Sequence, residues 1–592
     1  MRGMKFFLFL LAMVIAGETA PFFLVKDGQM ATTIVVPDNP SLTESFAAEE
    51  LALYVQKATG ARLRILKESA AFPEKNSEFF VLVGATQKTK SLGISLQGIK
   101  DGGFLIRRTG NFLVLWGEDD RVKYYQGKTL PADPKTRSHT RHGTLFAVYD
   151  FLEKVAGVRW YWPGSLGEVV PNHRNLYVEE IDYRENPDFQ FRGCYGYWLD
   201  DPDFKREESA LWWRRQRLGS AGYIPATHSF AKYVSKYGQS HPEYFALQRD
   251  GRRLTDTDHG GGHICLSNKE FQKLLIADLI ENFQANPDLF TQSVMPGDSF
   301  AQYGCQCQEC QAKYQESVSA FQSEGLFSPA SGKHSKMVWE YVNQVAREVG
   351  RIYPDRYIGC CAYASYYAVP SGIKFEPNVA VTVCRGNADL YFWDQKDINL
   401  SHRQLEAWAK RVSLIFTWEY PCSANNYGNC VIYPNGVNQE AKRLKQRGVR
   451  GTIVEYVPSY DEPKYGGDYT GWMRENLTTY VFFRSLWKTE IDVDQLVKEY
   501  CENLYGPAAG PMKEFFWLME DIWKNGHHGF KPYYSNWSNI WTYLYSPVNV
   551  TRLVKMLEKA KRLAPPGIYQ QRVEKTIEGF KVLRENGQVV QE

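Results

Sequence analysis

Between about residues 189 and 460 the sequence alternates short apolar runs with amphipathic stretches, and no other feature limits the fold as tightly. This is the pattern of parallel βα units. Eight candidate strands begin near Phe189, Gly222, His263, Gln292, Tyr357, Val379, Leu414 and Thr452, the run near Gly222 having the weakest pattern. Val379 to Val383 and Leu414 to Phe416 are nearly continuous apolar runs, as strands buried on both faces should be. Eight is the number a closed barrel needs. The expected fold is therefore α/β, with a (β/α)8 TIM-type barrel over residues 186–488.

The flanking segments have patterns of their own. In 21–185 we expect a small α/β domain. Thr32 to Val36 is a β-branched strand, and Ser41 with Glu44 has the spacing of a helix-capping box. Ala47, Leu51, Tyr54, Val55 and Ala58 then recur at helical spacing up to Gly60. Phe79 to Val83 and a pair turning at Thr109-Gly110 read as strands, and Leu145, Val148, Leu152 and Val155 mark one face of a second helix. Residues 489–592 read as helical, with stripes such as Val550, Leu553, Leu557, Ala560 and Leu563. At the start, Arg2 and Lys5 precede an apolar run from Phe6 to Ile15 and then the small residues Ala16, Gly17 and Ala20. That run is too short to span a bilayer and has the order of a secretory signal, so residues 1–20 are expected to direct export to a secreted or periplasmic location. Pro21 disfavours cleavage directly after Ala20. No later stretch reads as a membrane helix.

Composition narrows the partners. Net charge is +3 with both signs interspersed, which gives no reason to expect nucleic acid or an anionic membrane. Aromatic residues reach 15%, including 16 Trp and 37 Tyr, which suits either rings stacked on sugar faces or large aromatic cores.

In a βα barrel, polar side chains at the C-terminal strand ends meet over one mouth. Three candidate strands end in carboxylates: the fourth runs into Asp298, the seventh ends Trp418-Glu419-Tyr420, and the eighth ends Glu455-Tyr456. Cleaving a glycosidic bond needs an acid to protonate the leaving oxygen, plus a second group that attacks the sugar, activates water or orients a participating acetamide. A neighbouring Trp lowers local polarity and can keep one carboxyl protonated. The plainer alternative is that a strand-end Glu pairs with an Arg or caps a helix. Glu455 and Glu419 are the expected pair, with Asp298 in support. Trp418, Tyr420, Tyr456 and Trp472 are candidate sugar platforms, and His228, His241 and Glu243 candidate hydroxyl-binding groups.

Two clusters raise the question of a metal. His228, His241, His259 and His263 gather with Glu243, Asp256 and Asp258 but lack the helical His-Glu-x-x-His spacing. Cys305, Cys307 and Cys310 form C-x-C-x-x-C, which can hold zinc only with a fourth ligand, and none is adjacent. A loop disulfide or reduced structural cysteines fit that triplet better, a disulfide between Cys422 and Cys430 is plausible, and no cofactor is expected. The cysteine count of 11 is odd.

Gly143 to Glu153, followed by Gly157-Val158-Arg159-Trp160-Tyr161-Trp162-Pro163-Gly164, resembles the end of the domain that precedes the barrel in bacterial α-glucuronidases and β-hexosaminidases. His241-Pro242-Glu243-Tyr244-Phe245, Cys265-Leu266-Ser267-Asn268, the cysteine triplet, Trp418-Glu419-Tyr420 and Gly448-Val449-Arg450-Gly451 resemble a large family of exported bacterial proteins long labelled a domain of unknown function. Some of its members are endo-β-N-acetylglucosaminidases that cut the chitobiose core of N-glycans. In that family the position of Glu419 is often Asp, and the segment at Glu455 usually reads Phe-Glu-Gln. The resemblance implies a barrel and cofactor-free hydrolysis of a glycan or polysaccharide. β-N-acetylglucosaminidase is the leading expectation and α-glucuronidase the second; a glycan-binding protein without activity is the alternative from another class.

Overall fold

The computed structural model describes residues 21–72, 79–120, 140–195, 206–219, 224–257, 262–287, 289–320, 332–385, 395–421, 432–455, 472–525, 544–581 and 583. The expected export signal, Tyr456, Asp258, His259, Cys422 and Cys430 lie outside them.

The N-terminal part is a mixed six-stranded sheet. Its strands are β1 (Thr32–Val36), β2 (Arg64–Lys67), β3 (Phe79–Val83), β4 (Phe104–Thr109), β5 (Phe112–Gly117) and β6 (Asp182–Glu185), in the order β6-β4-β5-β3-β1-β2. The capping box forms: Ser41 Oγ accepts from the Glu44 N–H, and the Glu44 carboxylate accepts from the Ser41 N–H at 2.7 Å. It starts the helix Leu42–Thr59, which Gly60 ends at φ 80°, a left-handed conformation that glycine adopts without a Cβ clash. That helix and Gly143–Val155 pack together and bury their apolar stripes against the sheet.

A second sheet carries the strand ends of interest. β7 (Phe191–Tyr195), β8 (Thr291–Ser293), β9 (Tyr357–Ala362), β10 (Val379–Arg385), β11 (Leu414–Glu419) and β12 (Gly451–Glu455) run β7-β12-β11-β10-β9-β8, every pair parallel. The first strand in the chain lies beside the last, as a closing barrel requires. Its two edges also approach each other: the Phe191 ring on β7 stacks on Phe290, just before β8, with centroids 5.9 Å apart. Phe416 of β11 meets Phe191 edge-on at 4.9 Å, filling the concave side. Gly359 of β9 admits Pro225 to that interior, since a Cβ there would lie 2.4 Å from the proline ring.

The expected eight strands are thus corrected to six among the described residues. The second and third candidate segments contribute only isolated bridges, His228 with Met295 and Ile264 with Phe245. Pro225 has no N–H to give a ladder. His263 and Cys265 direct their backbone bonds to Ala246 and Tyr244 in a local antiparallel arrangement. The sheet is a curled parallel half-barrel.

Helices Trp472–Trp487, Val493–Tyr505, Ala509–Asn525, Pro547–Leu563 and Ile568–Gly579 follow. Glu153 joins the parts, accepting from Arg217 at 2.5 Å and from Arg484 at 2.8 Å. Burial pushes the Glu153 carboxyl up, but Arg217 and Arg484 outweigh it and hold it at about 2. Among the described residues no helix is long and apolar enough to cross a membrane.

Candidate active site

Side chains alternate along a strand, and residues paired across a parallel ladder point to the same side. Phe416 faces the concave interior, so Trp418 and Tyr420 share its side and Glu419 does not. The register pairs Trp418 with Ile453, which places Glu455 two residues on, beside Tyr420. Cys384 of β10 pairs with Trp418, and Tyr363 directly follows β9.

Glu455 is half-buried at the C-terminal end of β12. The Trp418 indole N–H donates to its Oε2 at 2.6 Å, and the Tyr420 hydroxyl also donates to it. Burial pushes the Glu455 carboxyl above the ordinary range; the two donors pull it back, and the charge of Asp298 pushes it up again. Asp298 is thus an electrostatic neighbour of Glu455 although they lie 157 residues apart in the chain.

Asp298 moves the other way. Its bond to His228 is the largest influence and holds the carboxyl below the usual range, assisted by the Tyr363 hydroxyl and opposed by partial burial. The His228 Nδ1–H donates to the Pro296 carbonyl at 2.6 Å, and Nε2 lies 3.4 Å from Asp298 Oδ2. A carbonyl only accepts, so Nδ1 must carry a proton. A proton on Nε2 as well would aim a second N–H at Asp298 and make the ring cationic. Burial lowers the His228 pKa, but Asp298 and Pro296 outweigh it and the net shift is upward.

The backbone here is strained. Among the described residues five non-glycine positions have left-handed φ, and two of them, Ser299 at 58° and Ala364 at 44°, directly follow Asp298 and Tyr363. Such conformations cost roughly 1–3 kcal/mol each and persist only where the surroundings enforce them.

Glu419 occupies a different place from the one expected. It is completely buried on the outer side of the sheet, 3.4 Å from Arg385, which also holds Glu440 at 2.8 Å. His402 lies 3.6 Å from Glu440. Burial raises Glu419 to about 8, only partly offset by Arg385, while Arg385 outweighs burial at Glu440 and keeps that carboxyl low. Arg385 serves both acids, and Glu440, which also has Arg443 at 3.4 Å, takes the larger share of its attraction. The expected convergence of Glu419 with Glu455 does not occur, because adjacent residues of one strand face opposite sides.

The remaining candidates scatter. His241 and Glu243 pair with each other at 3.0 Å on the surface, and His241 stacks on Tyr244. Trp472 is 5% exposed and packs edge-on against Trp162, so it offers no open sugar platform. The His-rich segment forms no metal-holding group among the described residues. The one group that does is Cys265, Cys305, Cys307 and Cys310. Cys265 is the fourth sulfur that the triplet lacks in sequence. Tyr363 and Cys384 were not anticipated, although Tyr363 could be found as the polar residue ending the apolar run 357–362.

The family described as a domain of unknown function, DUF4838, matches residues 162–517, and the chain belongs to that family. A search of curated proteins gave no match. Among solved structures, a GH115 4-O-methyl-α-glucuronidase with specificity for decorated arabinogalactans is similar at a TM-score of 0.55 and 13% identity, over 95% of this chain and 73% of that one. A Streptomyces plicatus β-hexosaminidase follows at a TM-score of 0.42 and 11% identity, over 83% of this chain and 93% of that one. At such identity the first likeness is one of fold, and the second adds no argument.

Proposed function

We propose that the chain is a glycoside hydrolase in which Glu455 is the general acid and Asp298 its ionised partner. The observation that carries this reading is the divergence of two neighbouring carboxyls at one strand-end mouth, Glu455 raised and Asp298 lowered. Environments that push two acids apart assign one to donate a proton and the other to remain charged. Glu455 protonates the glycosidic oxygen as the bond to the anomeric carbon breaks. Asp298 faces the positive charge that develops there, either directly or by orienting a 2-acetamido group or a water, and water supplies the hydroxyl that replaces the leaving sugar. Trp418 and Tyr420 hold the acid and offer aromatic surface beside it. Export and a glycan substrate are part of the same proposal.

Within this class, a β-N-acetylglucosaminidase-like activity remains the leading reading. An α-glucuronidase-like activity is second, favoured by His228, whose ring when protonated is what a uronate carboxylate would meet. The test is a screen for released reducing ends on acetamido-sugar and uronic-acid glycans, run beside Glu455→Gln. Turnover on one substrate class, lost in the variant, supports the reading. Binding of a glycan with no turnover by the unaltered protein would instead make it a glycan-binding protein.

A further inference from the structure

We propose that Cys265, Cys305, Cys307 and Cys310 bind one zinc ion as a closed tetrathiolate site that anchors the Asp298 segment. Their four sulfurs all lie within 4.8 Å of one another. Cys265 Sγ is 3.7 Å from both Cys307 Sγ and Cys310 Sγ. A tetrahedral zinc with Zn–S bonds of about 2.3 Å has sulfur–sulfur edges of about 3.8 Å, so the two edges from Cys265 stand at the spacing the ion imposes and the others lie within about an ångström of it. The described cysteines are free thiols, and Cys265, Cys305 and Cys310 are each at most 5% exposed.

The surroundings suit thiolates. The Leu247 N–H donates to Cys305 Sγ at 3.3 Å, and the Cys307 N–H donates to the same sulfur. The Ser267 N–H reaches Cys265, and the Ser267 hydroxyl lies 3.2 Å from Cys310 Sγ. Four thiolates around one divalent ion leave net negative charge, which such donors offset. Closed four-sulfur sites have no open position for substrate, so the role is structural.

The position gives that role a target. Cys265 follows Ile264, which bridges to Phe245, whereas the triplet ends the segment that begins with β8 and carries Asp298. Gln306 N–H donates to the Leu247 carbonyl, and His263 packs on Phe300 and Tyr303. An ion at the sulfurs fixes both segments at one point, seven residues beyond Asp298.

Metal analysis of the full chain, purified without chelator, tests this independently of any hydrolase activity. The expected result is about one zinc per chain, released in step with modification of four thiols by a mercurial. Zinc should be substoichiometric in Cys307→Ser, and Ser267→Ala should weaken zinc affinity by about 10-fold or more while leaving the circular dichroism unchanged. Chelator should lower the melting temperature, and zinc but not magnesium should restore it. A folded, metal-free protein would overturn the proposal, whether its four cysteines are disulfide-bonded or freely alkylated. Iron in place of zinc would overturn it as well.

Discussion

Trp418 of β11 reaches across to β12 and donates its indole N–H to the Glu455 carboxylate at 2.6 Å. The bond stabilises the ionised form of a group whose pKa burial raises. Replacing Trp418 with Phe retains the aromatic surface and removes the donor. The Glu455 pKa should then rise. With Glu455 as the acid, the alkaline limb of the kcat profile moves to higher pH. A limb that stays in place in Trp418→Phe would show that another group supplies the proton.

His228 acts on the opposite partner. It is the largest influence holding the Asp298 carboxyl below its usual range, so His228→Gln should raise the Asp298 pKa. The expected outcome is an acid limb of kcat/KM shifted to higher pH, with little change on the alkaline side. Because Asp298 is half exposed, solvent and salt screen the pair, and the shift should shrink at high ionic strength.

Glu153 makes the fold itself sensitive to acid. Its folded pKa of about 2 lies below the ordinary 4.5, so its stabilisation is present above 4.5 and is lost as pH falls toward 2. Urea unfolding between pH 6 and 2 should show that loss, and Glu153→Gln should flatten it. Removing the carboxylate takes away the partner of Arg484 and leaves the buried Arg217 with Asp150 alone, with an expected destabilisation of about 3–5 kcal/mol at neutral pH.

Much of the fold is legible because it depends on local rules. The capping box at Ser41 and Glu44, the stop at Gly60, the turn at Gly110 and the apolar runs of β9 to β12 are each written within a few residues. The site was only partly legible, because it depends on register. Sequence shows that Trp418 and Glu419 must face opposite sides, but not which one faces the mouth. That choice follows from Phe416 meeting Phe191, a contact between strands far apart in the chain. The fourth cysteine has the same cause, since Cys265 joins the triplet only through the turn that pairs Ile264 with Phe245. Glu455 can be named from sequence because its strand ends there, whereas Asp298, whose charge acts on it, stands in sequence only as support for the Glu455–Glu419 pair.

Two glutamate variants assayed on the same cleaved glycan test the account most directly. Glu455→Gln should lower kcat by about 10²- to 10⁴-fold, the usual range for loss of a general acid. Glu419→Gln should stay within a few-fold of the unaltered protein, because Glu419 is sealed beside Arg385 on the side of the sheet away from Glu455. Loss of turnover in Glu419→Gln with Glu455→Gln near normal, both variants folded, would contradict it.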